Sequence, residues 1–283
     1  MAISVELTTN LKDLATSKGG CLFGVANPKV GFEKALPGHR PLDIMPSCRS
    51  VIVIGVATGT EMDRFLKPAT HGNDAFDRLS YLFLDSILLS GKQFLEDKGY
   101  ESRVVEGMSD QRKSIPVLGY KVCAYEAGLG VYGRFGVIVT ERDGPSVNWG
   151  VLLTDAELAS TGRLGGFEPC KDCTVCAALC PAEAIDKAKP PPTGHDRGKC
   201  VSFVMGLRDY YSEVGGYRGH CGVCFEKCPV GREVIVKTGF VEARQSGIVH
   251  ETKEKAAEIA ETIVSSPKYL KEQAENRYGV SSF

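Results

Sequence analysis

Eight of the eleven cysteines of this chain crowd between Cys170 and Cys228, and that pattern constrains the fold more than any other feature. The order is Cys170-x2-Cys173-x2-Cys176-x3-Cys180-Pro181, then Cys200, then Cys221-x2-Cys224-x3-Cys228-Pro229. Three thiolates spaced by two residues fit one tight loop and grip three irons of one cube, while the cysteine pushed into the following turn faces a neighbouring cube. On this rule Cys170, Cys173, Cys176 and Cys228 hold a first [4Fe-4S] cluster, and Cys180, Cys221 and Cys224 begin a second. A symmetric repeat would place the missing thiol three residues before Cys221, but that residue is Arg218. Cys200 is the spare cysteine of the region and is assigned as the fourth ligand. The alternative there is a three-iron cluster with Cys200 free; structural zinc is the rival for the whole region, although zinc favours paired C-x2-C motifs over triplets closed by Cys-Pro.

With 283 residues, 43% of them hydrophobic and 24% charged, the chain can bury a core far larger than a bare ferredoxin needs. A formal net charge of −1 provides no long-range field for nucleic acid or an acidic membrane, so neither is expected as a partner. The first residues show no basic segment followed by an apolar run, and no stretch reaches membrane-spanning length, so a cytoplasmic protein is expected. Cysteines in cluster spacing imply a reducing, anaerobic compartment rather than disulfides.

Leu7, Leu11 and Leu14 recur at helical spacing before Gly19-Gly20, and Cys21 to Ala26 reads as a short buried strand. Four prolines keep residues 27–47 irregular. Ser50 to Ala57 contains the run Val51-Ile-Val-Ile54, which belongs in a sheet covered on both faces. A long amphipathic helix is predicted over 73–98, a strand over 101–106, and a helix opened by Pro116 and running to Gly128. Gly136–Thr140 and Asn148–Leu153 suggest a hairpin around Asp143-Gly144-Pro145. Gly162 to Gly166 forms the expected seam to the cysteine-rich part, in which Pro190-Pro-Pro192 should hold the connector extended. Thr252 to Val264 reads as a charged surface helix. The domains expected are thus 1–165, an α/β cofactor-binding layer; 166–235, a ferredoxin-like module; and 236–283, a helical tail.

The second informative stretch is Ala127-Gly128-Leu129-Gly130-Val131-Tyr132-Gly133-Arg134-Phe135-Gly136, where dense glycine lets backbone approach a ligand or adopt positive φ. A nucleotide site would need strand, glycines and helix in that order, and here the order is reversed. With Pro116-Val-Leu before it, Leu152-Leu-Thr154-Asp155 after it, Lys199-Cys200-Val-Ser-Phe beyond and Pro46-x-Cys-Arg-Ser-Val-Ile-Val-Ile54 upstream, the chain resembles the epoxyqueuosine reductase and reductive dehalogenase superfamily over roughly residues 20–235. The resemblance implies an α/β (α+β) fold, with a nitroreductase-like sheet domain joined to a C-terminal two-[4Fe-4S] ferredoxin-like module. It also implies a cobalamin, to which the clusters pass electrons and which reduces a small organic substrate. Gly128, Gly130, Tyr132, Gly133, Arg134, Phe135 and Gly136 would lie along the corrin, with Thr154 and Asp155 nearby.

Two departures from the queuosine enzymes redirect the search for catalytic groups. Their aspartate three residues before Pro-Val-Leu is Lys113 here, and their Gly-Trp-Ile-Gly-Lys-Asn is Gly130-Val-Tyr-Gly-Arg-Phe135. Tyr132 and Arg134 are therefore candidates for proton donor and anion anchor, and Lys113 for the lost acid, each set against a solvated or turn role. Trp149 is read as core, His220 as a tuner of a cluster, His195 as solvated, and Cys21, Cys48 and Cys123 as buried structural thiols. Small-molecule substrate and an electron-donor protein such as ferredoxin or flavodoxin are the expected partners. Two other functions stay open: an electron carrier without cobalamin that docks a redox enzyme, and a reductase in which the sheet holds flavin.

Overall fold

The computed structural model describes residues 3–33, 35–57, 72–105, 117–203, 224 and 227–231. The Thr252–Val264 helix, Lys113, Pro116, His71, His220 and Cys221 lie outside them. Described residues within Met1–Thr58, Asp77–Val131 and Ile138–Glu168 form one compact unit, and those within Gly59–Phe76, Tyr132–Val137 and Pro169–Phe283 form a second.

In the first unit, α1 (Val5–Ser17) starts where the Ser4 hydroxyl accepts from the Leu7 N–H at 3.1 Å, and it buries Leu7, Leu11 and Ala15 on one face. After the glycine stop, β1 (Leu22–Ala26) follows. A single-turn helix, α2 (Pro41–Ile44), interrupts the region expected to be irregular, with Pro41 at its first position. Next come β2 (Ser50–Ala57), α3 (Gly72–Glu96), β3 (Ser102–Val105), α4 (Tyr120–Glu126), β4 (Val131–Tyr132), β5 (Ile138–Val139) and β6 (Val147–Thr154). The sheet order is β1-β2-β6-β3, and every pairing is antiparallel.

The apolar run behaves as its composition requires, since Val51, Ile52, Val53 and Ile54 are at most 2% exposed. Ile52, Ile54 and Leu152 pack with Leu7, Leu11, Leu84, Ile87 and Leu88 of α1 and α3. The alternate residues Val51, Val53, Val151 and Leu153 are equally buried, and α4 lies against β1 and β6. An antiparallel sheet is thus covered on both faces, the condition that usually goes with parallel strands. Trp149 is core, 8% exposed and paired across the sheet with Gly55.

The predicted hairpin does not form. β6 is flanked by β2 and β3, so neither of its edges is left for β5, which pairs with β4 in a separate two-stranded sheet. The Asp143-Gly144-Pro145 turn closes only locally, through a bridge between Thr140 and Gly144. α4 begins at Tyr120, later than a start at Pro116 would give. Among the described residues no helix is long and apolar enough to cross a membrane.

Candidate functional site

The first cysteine motif lies in the second unit. Cys170 occupies a turn, Cys173 the irregular stretch that leads into the single-turn helix α5 (Val175–Ala178), and Cys176 sits in that helix, 6% exposed. Burial pushes the Cys176 thiol up to about 11, and the proximity of Cys170, Cys173 and Cys228 adds to the effect. Cys228, from the second motif, is itself 7% exposed. The four thiols read from spacing as the first cluster's ligands are therefore electrostatic neighbours. Among the described residues no three ligating side chains converge closely enough to chelate one metal ion. The two observations are compatible because a cube distributes four thiolates over four irons, so its ligands stand further apart than those of a single ion.

A short ladder joins Cys180 to Cys200. The Ala184 N–H donates to Cys180 Sγ at 3.4 Å, the Asp196 N–H to the Ala184 carbonyl at 2.8 Å, and the Cys200 N–H to the Asp196 carbonyl at 3.2 Å. Asp196 also caps the helical residues 197–203, accepting from the Lys199 N–H at 3.0 Å. The antiparallel bridge between Ile185 and His195 ties the two arms together. The proline connector expected to be extended is instead folded into a turn, because the Thr193 N–H returns to Pro190 and the Asp186 N–H to Gly194. Cys224 is half-buried.

In the glycine-rich turn most groups have partners within the fold. Gly128 has φ +69°, and a Cβ there would lie 2.2 Å from the Gly162 carbonyl oxygen; a Cβ on Gly130 would meet the Val139 carbonyl at 2.5 Å. Gly136, with φ +77°, lies against His195. The Gly133 N–H donates to Val137 at 2.7 Å, and Phe135 is 4% exposed. Tyr132 is half-buried on β4.

Arg134 is 4% exposed and clamps the first motif. Its Nε donates to the Cys173 carbonyl at 3.1 Å, Nη2 to Cys170 at 2.7 Å, and Nη1 to Lys187 at 3.1 Å and Lys189 at 2.7 Å. Thr154 is fully buried; its hydroxyl donates to the Glu101 carbonyl at 2.9 Å and accepts from the Ala156 N–H. Asp155 Oδ1 accepts from the Glu101 N–H at 2.9 Å.

Two residues, and the role of a third, escaped the sequence reading. Arg134 was legible as a candidate, but its carbonyl partners lie dozens of residues away. Glu126, 6% exposed, forms a two-pronged pair with Arg163 at 2.8 and 2.7 Å, which no local pattern announces. Asp143 is buried beside Arg142, and its Oδ2 has no hydrogen-bond partner among the described residues. Of the isolated thiols, Cys48 and Cys123 are buried as expected, whereas Cys21 is exposed because it precedes β1 and accepts from the Ala57 N–H at the sheet edge.

No family model matches the chain. It is 28% identical over 274 residues to the tetrachloroethene reductive dehalogenase of Sulfurospirillum multivorans, covering 80% of this chain and 50% of that one. It is 41% identical over 191 residues to that of Desulfitobacterium hafniense, covering 65% of this chain and 31% of the relative. The epoxyqueuosine reductase of Staphylococcus aureus is 26% identical over 215 residues, with 72% and 54% covered. The chain thus spans about half the length, or less, of the dehalogenases it matches. Solved structures of similar fold include an epoxyqueuosine reductase crystallised with a modified tRNA stem loop (TM-score 0.58, 19% identity, 80% of this chain and 66% of that chain). A catabolic reductive dehalogenase in complex with 3-bromo-4-hydroxybenzoic acid gives a TM-score of 0.62 at 18% identity, over 94% of this chain and 37% of that one. Another reductive dehalogenase of similar fold, at TM-score 0.57 and 17% identity over 89% of this chain and 36% of that one, is described with a mechanism for B12-dependent dehalogenation.

Proposed function

From a chain related to both the tetrachloroethene reductive dehalogenases and the epoxyqueuosine reductases, we propose an iron–sulfur oxidoreductase that relays electrons through two [4Fe-4S] clusters to an acceptor held by residues 1–165. Cys170, Cys173, Cys176 and Cys228 hold the first cluster, and Cys180, Cys200, Cys221 and Cys224 hold the second. The observation that carries this reading is that Cys176 and Cys228, from separate motifs, are both buried, and that Cys228 acts with Cys170 and Cys173 on the Cys176 thiol electrostatically. When bound, such clusters supply one-electron steps. The protein supplies thiolates, a ladder that registers Cys180 with Cys200, and a low-exposure setting for Cys176 and Cys228 that keeps water from the metal.

Cobalamin is the acceptor we propose on kinship, with a small organic molecule as substrate and a ferredoxin or flavodoxin as electron donor. The side chains offered for it do not fit that role: Arg134, Thr154 and Asp155 are engaged within the fold, and Gly128, Gly130 and Gly136 answer to internal packing. The same observation favours a second reading, an electron carrier without cobalamin that docks a redox enzyme. We also propose Tyr132, half-buried on β4, as a proton donor. A net charge of −1 argues for a small molecule over the tRNA stem loop bound by the relative of similar fold.

Anaerobic purification from a cobalamin-supplied host, with assays for iron, sulfide, cobalt and flavin, tests both readings. About eight irons and one cobalt per chain support the first, and about eight irons alone support the second. A zinc-filled or colourless protein would sink both. Cys200→Ser should lower iron from about eight to about four; unchanged iron would remove Cys200 from the ligand set.

A further inference from the structure

A buried guanidinium is costly unless its charge is compensated. Arg134 is 4% exposed, and its described partners are main-chain carbonyls of Cys170, Cys173, Lys187 and Lys189. These oxygens satisfy four of its five N–H donors without cancelling its positive charge. Two of the four belong to residues whose side chains, on the reading above, are thiolates of the first cluster. A cube held by four thiolates is negatively charged, and it becomes more so on reduction. The segment Tyr132–Val137 that brings Arg134 to this place belongs to the same compact unit as the cysteines, although its neighbours in sequence do not.

We infer that Arg134 is a positioning residue for the first cluster. Its planar fork fixes the Cys170–Cys173 turn, and its charge raises the reduction potential of that cluster by favouring the more negative, reduced state. The inference rests on the cluster reading and adds to it a residue that binds no metal.

The test compares anaerobic wild type with Arg134→Lys and Arg134→Gln. Two quantities are read: the rate of iron loss to a chelator, and the two midpoint potentials in a dithionite titration followed by electron paramagnetic resonance. Arg134→Lys keeps the charge and loses the fork, so iron should leave roughly tenfold faster while both potentials stay near the wild-type values. Arg134→Gln loses both, so iron should leave faster and one potential of the two should move negative. Unchanged potentials in Arg134→Gln would overturn the electrostatic part, and unchanged iron loss in Arg134→Lys would overturn the fork. A wild type without iron would overturn the cluster reading itself, a result distinguishable from either.

Discussion

Gly128 shows what a single missing methyl group secures. With φ +69° and the Gly162 carbonyl 2.2 Å from where a Cβ would be, Gly128→Ala meets both backbone strain and a contact with rigid main chain. We expect a loss of about 2 kcal/mol or more, read as a lower denaturant midpoint. The buried thiols give a pH-dependent prediction. Burial pushes Cys48 up from 9.0 to about 11 and raises Cys123 further, with Cys48 and Glu126 nearby adding to the effect on Cys123. Between pH 9 and 11 the unfolded chain gives up a Cys48 proton that the folded chain retains. Unfolding then releases protons, so stability falls as pH rises through that window, and Cys48→Ala should flatten the slope. Alkylation at pH 8 followed by mass spectrometry should modify Cys21 and spare Cys48 and Cys123. Sequence alone set these three thiols apart from the clustered cysteines, but it could not place Cys21 at the surface, since a residue one step before a strand can lie on either side of it.

At the scale of the element, β2 was legible to the residue because an unbroken apolar run needs no partner to announce itself, and α1 was legible because its leucines repeat and glycines stop it. The hairpin was not. A turn signal is local, whereas pairing depends on which strands compete for an edge, and β2 and β3 occupy both edges of β6. The proline connector failed for a related reason, since its turn is closed by hydrogen bonds between its ends. On α3, Gly91 carries an ordinary helix penalty with no steric reason for it. A methyl there would meet Leu152 at 3.4 Å and Leu11 at 4.0 Å, both normal contacts. Gly91→Ala should therefore stabilise the protein by up to about 1 kcal/mol in urea unfolding; a loss would show that the helix packs more tightly than these distances allow.

For the whole molecule, the antiparallel sheet unit has a core of its own, built from α1, α3 and the sheet, whereas the described residues of the cysteine-rich stretch include few buried apolar side chains. On the cluster proposal, anaerobic removal of iron should accelerate amide hydrogen exchange across residues 169–203 and leave β2 and β6 protected, as peptide-level mass spectrometry would record. Equal acceleration in both would show the metal to be holding up the sheet as well. The cysteine spacing exposed the ligand candidates of the site, but the fastening of their loop was hidden, because it comes from a residue placed thirty-six positions before the first cysteine. That fastening bears on how such a stretch can be inherited or transplanted. A gene fragment opening at residue 166, within the seam that the glycines suggest, would carry all eight clustered thiols into a new host chain and leave behind the guanidinium that holds the main-chain carbonyls of Cys170 and Cys173; on the cluster proposal, such a graft should lose its iron readily until Tyr132–Val137 is supplied with it.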